Sequence, residues 1–265
     1  MIDDSAHDKP AGAVRTAKFP LRLERMVRAP KKLVGSDIAS GAPAAGLGLD
    51  SEDVRRRMVE RLRAAHPHDA RVLLALASVP RHRFVDAALV TQSYEDTSLP
   101  IGHGQTISKP SVVARMLDVL MAGGNARRTG HLGRVLEIGT GCGYQAALLC
   151  SLGRQVVSVE RIRGLYDKAS ITLAPLGLHQ LRLVYGDGML GHSPNAPYDS
   201  IIAAACGTEV PPCWLAQLAD GGRLIAPIVG KGKQQALVVV DRTDAGYLRS
   251  EHEVVQFVPL KSGLV

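Results

Sequence analysis

The chain has few cysteines and no long apolar run, and each of these absences excludes a class of protein. Its four cysteines in 265 residues form no C-x-x-C pair and have no histidine at zinc-ligand spacing, which argues against a disulfide framework and against a metal site. No apolar run approaches the roughly 18 residues that a membrane span needs. The first ten residues, M-I-D-D-S-A-H-D-K-P, carry acids where a signal peptide is basic. We therefore expect a cytoplasmic protein without a membrane partner.

The net charge of +7 is unevenly distributed. Residues 51–130 carry twelve Lys and Arg against eight Asp and Glu, whereas residues 131–265 carry twelve against eleven. A basic excess is typical of nucleic-acid-binding surfaces. Here, however, the arginines within residues 55–63 lie among acidic neighbours, a pattern typical of a solvated helix face. We therefore expect no nucleic-acid partner.

The first half of the chain divides into an extension and a helical region. Residues 1–50 mix Pro, Gly, Ala and Ser without sustained periodicity, which predicts a flexible N-terminal extension. Residues 51–130 then predict helices, because apolar residues recur every four positions. On the first helix these residues are Val54, Met58 and Leu62. Two more helices are expected, over residues 69–78 and from Pro110, with a short one near Phe84 and a polar loop over residues 94–108 between them.

Residues 131–265 alternate between short apolar runs and helical segments. Strands are expected at residues 134–138, 155–159, 181–185, 199–205 and 223–228, and helices from 144, over 162–176 and around 212–218. This alternation with short connections predicts a doubly wound, mostly parallel, Rossmann-like α/β sheet with helices on both faces. Two last apolar runs, 236–240 and 254–258, have only a loop between them and predict antiparallel strands at the sheet edge.

A glycine-rich turn follows the first predicted strand, in R-V-L-E-I-G-T-G-C-G-Y (residues 134–144). Ligands of such sheets bind beyond the carboxyl ends of the strands, and glycines there let backbone N–H groups approach an anion. Glu160 lies 21 positions beyond Gly139, where an acid commonly binds ribose hydroxyls. Asp187, after the third strand, is placed to accept from an adenine amino group. The residues therefore predict an adenosine-bearing cofactor.

Two cofactors compete for this site. G-C-G-Y-Q-A, read from Gly141, satisfies the dinucleotide pattern G-x-G-x-x-G/A and keeps NAD open. The longer run E-I-G-T-G-C-G-Y is instead typical of S-adenosyl-L-methionine sites, in which the loop meets the methionine carboxylate and Glu137 supports the ammonium group. The residues favour the methyl donor without excluding NAD.

Several longer motifs occur in order along the chain. They include V-P-R-H-R-F-V (79–85), P-I-G-H-G-Q-T-I-S (100–108), V-L-E-I-G-T-G-C-G-Y-Q-A-A (135–147), S-V-E-R-I (158–162), G-D-G (186–188) and F-V-P-L (257–260). Together they resemble the protein-L-isoaspartate O-methyltransferase family from about residue 51 to residue 265, with only the first 50 residues outside. The resemblance implies methyl transfer from S-adenosyl-L-methionine to the free α-carboxylate of L-isoaspartyl residues in damaged proteins and peptides. The ester then collapses to a succinimide, which hydrolyses partly to L-aspartate.

The resemblance also implies roles for individual residues. Ser108 takes the position of the active-site serine. The substrate-binding residues are Ile101, Gly102, His103, Gly104, Gln105 and Thr106. The cofactor-binding residues are Glu137, Gly139, Thr140, Gly141, Gly143, Tyr144, Glu160, Asp187 and Gly188. The family domain is expected over residues 51–265, with helices and substrate loop over 51–130 and the cofactor-binding core over 131–265; a monomer is favoured.

Simpler interpretations compete at three of these positions. Ser108 would serve as a helix cap before Pro110, and Asp187 as a turn former between two glycines. His103 is expected to be a loop residue near the substrate, since an ionised carboxylate needs no general base. Cys142 is interpreted as a small spacer in the glycine loop.

One stretch departs from the family pattern, and two other functions stay open. After the fourth strand the chain has Ala205-Cys-Gly-Thr-Glu209, where the family commonly has Ala-Ala-Pro before the acid. Gly207 and Thr208 are expected to loosen a wall of the substrate site. One alternative is a methyltransferase of the same fold that modifies a specific aspartate of one partner peptide. The other is a protein that retains the cofactor and binds nucleic acid.

Overall fold

The described part of the chain before residue 134 contains four helices and two short helical turns. The computed structural model describes residues 52–265, and the flexible extension predicted over residues 1–50 lies outside the described residues. The helices are α1 (Glu52–Ala65), α2 (Ala70–Ser78), α3 (Pro110–Met121) and α4 (Gly124–Thr129). Where one short helix was expected near Phe84, the chain forms two 3-10 turns, Arg81–Phe84 and Ala87–Gln92.

Local chemistry explains these helix boundaries. The buried face of α1 includes Met58 and Leu62, as the four-residue repeat predicts. Asp69 caps α2, because its carboxylate accepts the N–H of Arg71 at 2.8 Å. Pro110 occupies the first turn of α3, where no N–H is needed. Helix α4 was not predicted, since its six residues, G-N-A-R-R-T, are too few to show a repeat.

The stretch predicted as a loop over residues 94–108 contains a β-hairpin. Strands β1 (Leu99–Gly102) and β2 (Gln105–Ile107) pair antiparallel. His103 and Gly104 between them have φ of 54° and 67°, the positive values that a two-residue hairpin turn requires. The loop prediction is therefore wrong for this part, because strands of four and three residues are too short to show alternation.

The second half forms one seven-stranded sheet. Its strands are β3 (Arg134–Ile138), β4 (Gln155–Glu160), β5 (Leu181–Tyr185), β6 (Tyr198–Ala203), β7 (Leu218–Val229), β8 (Gln235–Thr243) and β9 (Gly246–Val255). The helices between strands are α5 (Tyr144–Leu152), α6 (Arg163–Leu173) and α7 (Pro212–Ala216). The order is β5-β4-β3-β6-β7-β8-β9, and β7 to β9 pair antiparallel while the other pairs are parallel. The predicted fold class is confirmed.

The chain changes direction across the sheet at β3. From β3 it proceeds to β4 and β5 on one side and then crosses to β6 on the other. The two inner strands, β3 and β6, stay paired to their carboxyl ends, where Ala204 N–H donates to Ile138 O at 2.8 Å. The glycine turn after β3 therefore lies at the switch point of strand order, where ligands of such sheets bind.

Apolar side chains are buried on both faces of the sheet. Val135 and Leu136 are adjacent on β3 and belong to different core clusters, as expected for neighbouring residues of a strand. One cluster includes α2, α3 and α5, while the smaller one surrounds Trp214 of α7. Within the described part of the chain, every helix falls short of the length and apolar character that a membrane span requires.

The edge strand β9 is longer than the sequence indicates. We expected a loop between apolar runs at 236–240 and 254–258, but a tight turn after Thr243 leads directly into Gly246–Val255. Its residues, G-Y-L-R-S-E-H-E-V-V, are mostly exposed. An edge strand has one neighbour and little apolar contact, so hydrophobic patterning does not reveal it.

Candidate active site

Residues 139–143 form the glycine turn between β3 and α5. Hydrogen bonds hold this turn to the neighbouring strand β4. Gly139, Gly141 and Gly143 have φ of 89°, 57° and 91°, values that other residues rarely adopt. Gly139 N–H and Thr140 N–H both donate to Val159 O, at 2.9 and 3.3 Å. The free loop amides that the sequence suggests are therefore largely engaged within the protein.

A chain of buried side chains supports this turn from behind. The Thr140 and Ser158 hydroxyl oxygens lie 2.6 Å apart, and Ser158 donates to Glu137 Oε2 at 2.5 Å. Glu137 is fully buried, and burial raises its pKa to about 8 against the opposing hydrogen bond from Ser158. The carboxyl group is therefore protonated at neutral pH and acts on the turn through Ser158.

Glu160 joins the end of β4 to the same turn. Its Oε2 accepts Gly141 N–H at 2.9 Å, and its Oε1 accepts Ile162 N–H, also at 2.9 Å. Each carboxylate oxygen can accept a further hydrogen bond. Glu160 is thus a buried acid fixed at the position where ribose hydroxyls were expected.

The β1–β2 hairpin lies across the glycine turn. A Cβ at Gly141 would meet Ile101 Cδ1 of the hairpin at 3.3 Å, and a Cβ at Gly164 of α6 would meet the His103 ring at 2.5 Å. Beyond the hairpin, the Ser108 side chain has no hydrogen-bond partner among residues 52–265, and the N-terminal turn of α3 is capped by Asp96, whose carboxylate accepts from Ser111 N–H at 2.8 Å. The structure does not support the helix-cap interpretation of Ser108.

Hairpin and glycine turn enclose one cavity of about 480 Å³. Eleven of the predicted site residues line it: Ile101, His103, Gln105, Thr106, Ser108, Gly139, Thr140, Gly141, Tyr144, Glu160 and Gly188. The other five predicted residues lie outside its wall: Gly102, Gly104, Glu137, Gly143 and Asp187. The two segments proposed for cofactor and acceptor, about thirty residues apart in sequence, therefore share one space.

Comparison with known proteins identifies the family. The family model described as Protein-L-isoaspartate(D-aspartate) O-methyltransferase matches residues 53–264. This chain belongs to that family.

Individual relatives agree with this assignment. A protein-L-isoaspartate O-methyltransferase of Methylibium petroleiphilum is 55% identical over 268 residues, which covers 96% of this chain and 98% of the relative. Because of that coverage, the similarity extends into the first 50 residues, where we expected none. A solved protein-L-isoaspartate O-methyltransferase superposes with a TM-score of 0.70 at 28% identity, over 79% of this chain and 67% of its own.

A more distant member of the fold comes from Plasmodium falciparum. This candidate protein-L-isoaspartate O-methyltransferase was solved with S-adenosyl-L-homocysteine, and it superposes with a TM-score of 0.67 at 23% identity, over 78% of this chain and 98% of its own. At that identity the likeness establishes the shared fold.

Part of the cavity wall in this family member comes from a segment that sequence reasoning missed. The C-terminal segment, residues 258–265, contributes Val258, Pro259, Leu260, Lys261 and Val265 to the wall. Val265 N–H donates to Arg161 O at 2.9 Å and Arg163 N–H donates to Val265 O at 2.7 Å. The F-V-P-L motif marks this segment in the sequence. Nothing in the motif indicates that the segment packs beside residues 161–163, about 100 positions earlier.

Asp187 anchors the C-terminal segment instead of facing the cavity. Its Oδ1 accepts Met189 N–H at 2.9 Å, and its Oδ2 accepts Gly263 N–H at 2.6 Å. The first contact is that of a turn former, and the second ties the segment to the end of β5. An adenine contact by Asp187 stays a prediction.

The departure at Gly207 and Thr208 lies where the C-terminal segment begins. Cys206 N–H donates to Val258 O at 2.8 Å, and Leu260 N–H donates to Cys206 O at 2.7 Å. Gly207 is paired with Ile228 on its other side, and a Cβ there would meet Glu209 O at 3.0 Å. The stretch is therefore held on both sides, and the expected loosening of the wall is not observed.

Proposed function

We propose that this protein transfers a methyl group from S-adenosyl-L-methionine to the free α-carboxylate of L-isoaspartyl residues in damaged proteins and peptides. The ester collapses to a succinimide, and part of it hydrolyses to L-aspartate. The observation that carries the proposal is the shared cavity: Thr106 and Ser108 line it beside the glycine turn, and neither hydroxyl has a hydrogen-bond partner among residues 52–265. Such donors are free to orient a carboxylate.

The residues of the cavity suit the chemical groups of the cofactor. Gln145 lies on the wall, and the neutral carboxyl group of Glu137 lies behind it. These polar groups would support the amino-acid end of the cofactor. Glu160 would hold the ribose, and the glycines of the turn leave room for close approach. When bound, the cofactor supplies a methyl group on a positively charged sulfur, which needs no further activation.

The remaining cofactor assignments follow from position. Gly188 lies close to Ile138, since a Cβ on it would meet Ile138 Cγ2 at 2.6 Å, so this place in the wall requires glycine. Glu137 and Gly143 act from behind the turn, and Asp187 acts through the C-terminal segment. The cofactor-binding set proposed from the sequence thus divides into residues that touch the ligand and residues that shape its site.

The acceptor side orients the substrate and exchanges no proton with it. A carboxylate is ionised at neutral pH, so the task is to hold it in line, and positioning alone supplies a large part of the rate enhancement. Ser108 is the proposed catalytic residue, with residues 101–106 contacting the substrate. Burial raises the pKa of the Cys142 thiol to about 11, so this neighbour is neutral and serves as a spacer.

The basic excess of the helical region supports no second function. On α1, Arg56 forms ion pairs with Asp53 at 2.9 Å and with Glu60 at 3.7 Å. Paired arginines suit a solvated surface better than a phosphate-binding one. We propose a monomer without a nucleic-acid partner. A cytoplasmic location is also proposed, in agreement with the four free cysteines.

The decisive experiment compares two peptides that differ only in one linkage. Purified protein and methyl-labelled S-adenosyl-L-methionine are incubated with an isoaspartyl peptide and with its aspartyl twin. We expect label in the isoaspartyl peptide alone. Equal labelling of both would contradict the proposal, and activity confined to one peptide sequence would favour modification of a specific aspartate. Salt-dependent binding of nucleic acid without methyl transfer would favour the binding protein.

A further inference from the structure

Arg81, in the first 3-10 turn, is a fully buried charge outside the cavity. Among residues 52–265, no carboxylate forms an ion pair with it, and burial lowers its pKa. Replacement of buried charged groups by well-packed apolar residues of similar volume is often neutral or stabilising. Stability alone therefore does not explain an arginine here, and its contacts indicate another role.

Two hydrogen bonds of Arg81 hold both ends of the acceptor segment, which we define as residues 93–108. Nε donates to Ser93 O at 2.7 Å, and Nη2 donates to Ser108 O, also at 2.7 Å. Between these residues the chain leaves the core, forms the β1–β2 hairpin and returns. One planar side chain therefore fixes the separation of the two stems of the acceptor segment.

The same guanidinium group contacts the cofactor side. It lies over the ring of Tyr144, with Cζ 4.9 Å from the ring centroid, an arrangement that attracts a cation to an aromatic face. Tyr144 is the buried first residue of α5, directly after the glycine turn. Arg81 thus connects the acceptor segment to the start of the cofactor-binding helix through one rigid group.

We propose that Arg81 is a positioning residue that sets the distance between the Ser108 backbone and the glycine turn. The inference rests on the proposed methyl transfer, whose rate depends on how well nucleophile and methyl group are aligned. A misplacement of about 1 Å can lower a rate about 100-fold. Arg81 does not line the cavity, so it would act through Ser108 and Tyr144.

The test replaces Arg81 in two ways in the full-length protein. Arg81→Lys keeps the charge but loses the planar contact with Tyr144 and the paired hydrogen bonds, whereas Arg81→Met loses all of them. We expect kcat with an isoaspartyl peptide to fall about 10-fold and about 100-fold, respectively. The dissociation constant of S-adenosyl-L-homocysteine and the KM of the peptide should each change by less than about 3-fold, because no ligand contact is removed.

Controls separate alignment from folding and from the proposed function. Arg83 lies in the same turn and is exposed, so Arg83→Lys and Arg83→Met should retain wild-type kcat, with folding checked by thermal unfolding. Wild-type kcat in a folded Arg81→Lys protein would overturn the proposal, and so would failure of both Arg81 variants to fold, which would make Arg81 a stability determinant. Absence of methyl transfer by the wild-type protein would contradict the function itself.

Discussion

The glycine turn and the acceptor segment meet at one cavity but are built differently. Backbone and side-chain hydrogen bonds fix the turn: Gly139 and Thr140 bond to β4, and Gly141 bonds to Glu160. The acceptor segment instead exposes Gly102, His103, Gly104 and Thr106, and its two hydroxyls at 106 and 108 have no partner within the described residues.

This difference matches what each ligand requires. A cofactor is the same molecule in every cycle, so a rigid site loses little entropy on binding it. A damaged peptide varies in sequence, so its site benefits from unpaired donors that adapt to one shared feature, the carboxylate. The comparison predicts that substitutions on the two sides change different constants.

The largest effect should follow from Glu160→Gln. Glutamine has one acceptor oxygen and a donor NH2 group, so it can accept from Gly141 N–H or from Ile162 N–H but not from both. Hydrogen bonds to a charged group contribute about 1.5–3 kcal/mol each. We expect the affinity for S-adenosyl-L-homocysteine, measured by calorimetry, to fall about 100-fold, with a smaller change in kcat at saturating cofactor. Asp244→Asn, in the exposed turn before β9, is the matched control. An unchanged affinity would contradict the idea that Glu160 keeps the cofactor site rigid.

On the acceptor side, Ser108→Ala tests the opposite expectation. Loss of one donor to a carboxylate should lower kcat with an isoaspartyl peptide about 30-fold, which corresponds to about 2 kcal/mol. Cofactor affinity should stay at the wild-type value. The neighbouring Lys109→Ala removes an exposed side chain that makes no capping bond and should leave both constants unchanged. Full turnover by Ser108→Ala would restrict this residue to its backbone contact with Arg81.

Removal of residues 261–265 tests to which side the C-terminal segment belongs. These residues form part of the cavity wall but are not part of the glycine turn. Deletion takes away the Lys261 and Val265 wall positions and the Gly263 contact with Asp187. We expect about 10-fold weaker binding of S-adenosyl-L-homocysteine, on the order of one charged hydrogen bond. Turnover at saturating cofactor should stay within about 3-fold of wild type. A specific loss of peptide affinity would assign the segment to the acceptor side.

The smallest effect on binding or turnover is expected at Glu137, which acts on the stability of the turn. The pKa of Glu137 is raised from 4.5 to about 8, so the folded state keeps a proton that the unfolded state releases. Stability should therefore fall as pH rises from about 5 to about 8 and then level off. Glu137→Gln should remove this dependence and raise Tm at pH 8 by about 10 °C relative to wild type, with no gain at pH 5.

Thermal unfolding across that pH range provides the measurement for Glu137. The exposed Glu251→Gln on β9 serves as control and should follow the wild-type curve. If the Glu137→Gln protein shows the same pH dependence as the wild type, another group titrates in this range.

Patterning predicted the sheet well where burial is complete. Val135 to Ile138 lies in the centre of the sheet, where every buried side chain must be apolar or hydrogen-bonded. The apolar run can therefore be recognised as a strand from the sequence. Prediction failed for β1, β2 and β9, which lie at an edge or in a two-stranded sheet. There the pairing partner stabilises the strand, and composition carries little signal.

At the candidate site, the motifs predicted which residues lie near the ligand but not which way their side chains point. Glu160 was predicted as a ligand residue and lines the cavity, whereas Glu137 and Asp187, in motifs of equal clarity, turn toward Ser158 and Gly263. A motif indicates the end of a strand, and only the neighbours that pack there determine which way the side chain points.

By itself, the sequence determined the fold class, the glycine turn at the end of β3 and the family. Local periodicity and glycine conformations carry these features, because they depend on residues close together in the chain. Only the tertiary structure decided that the β1–β2 hairpin covers the turn, that residues 258–265 complete the cavity and that Arg81 connects both sides. Such contacts join residues up to about a hundred positions apart, and they form only because the packed core brings those residues together.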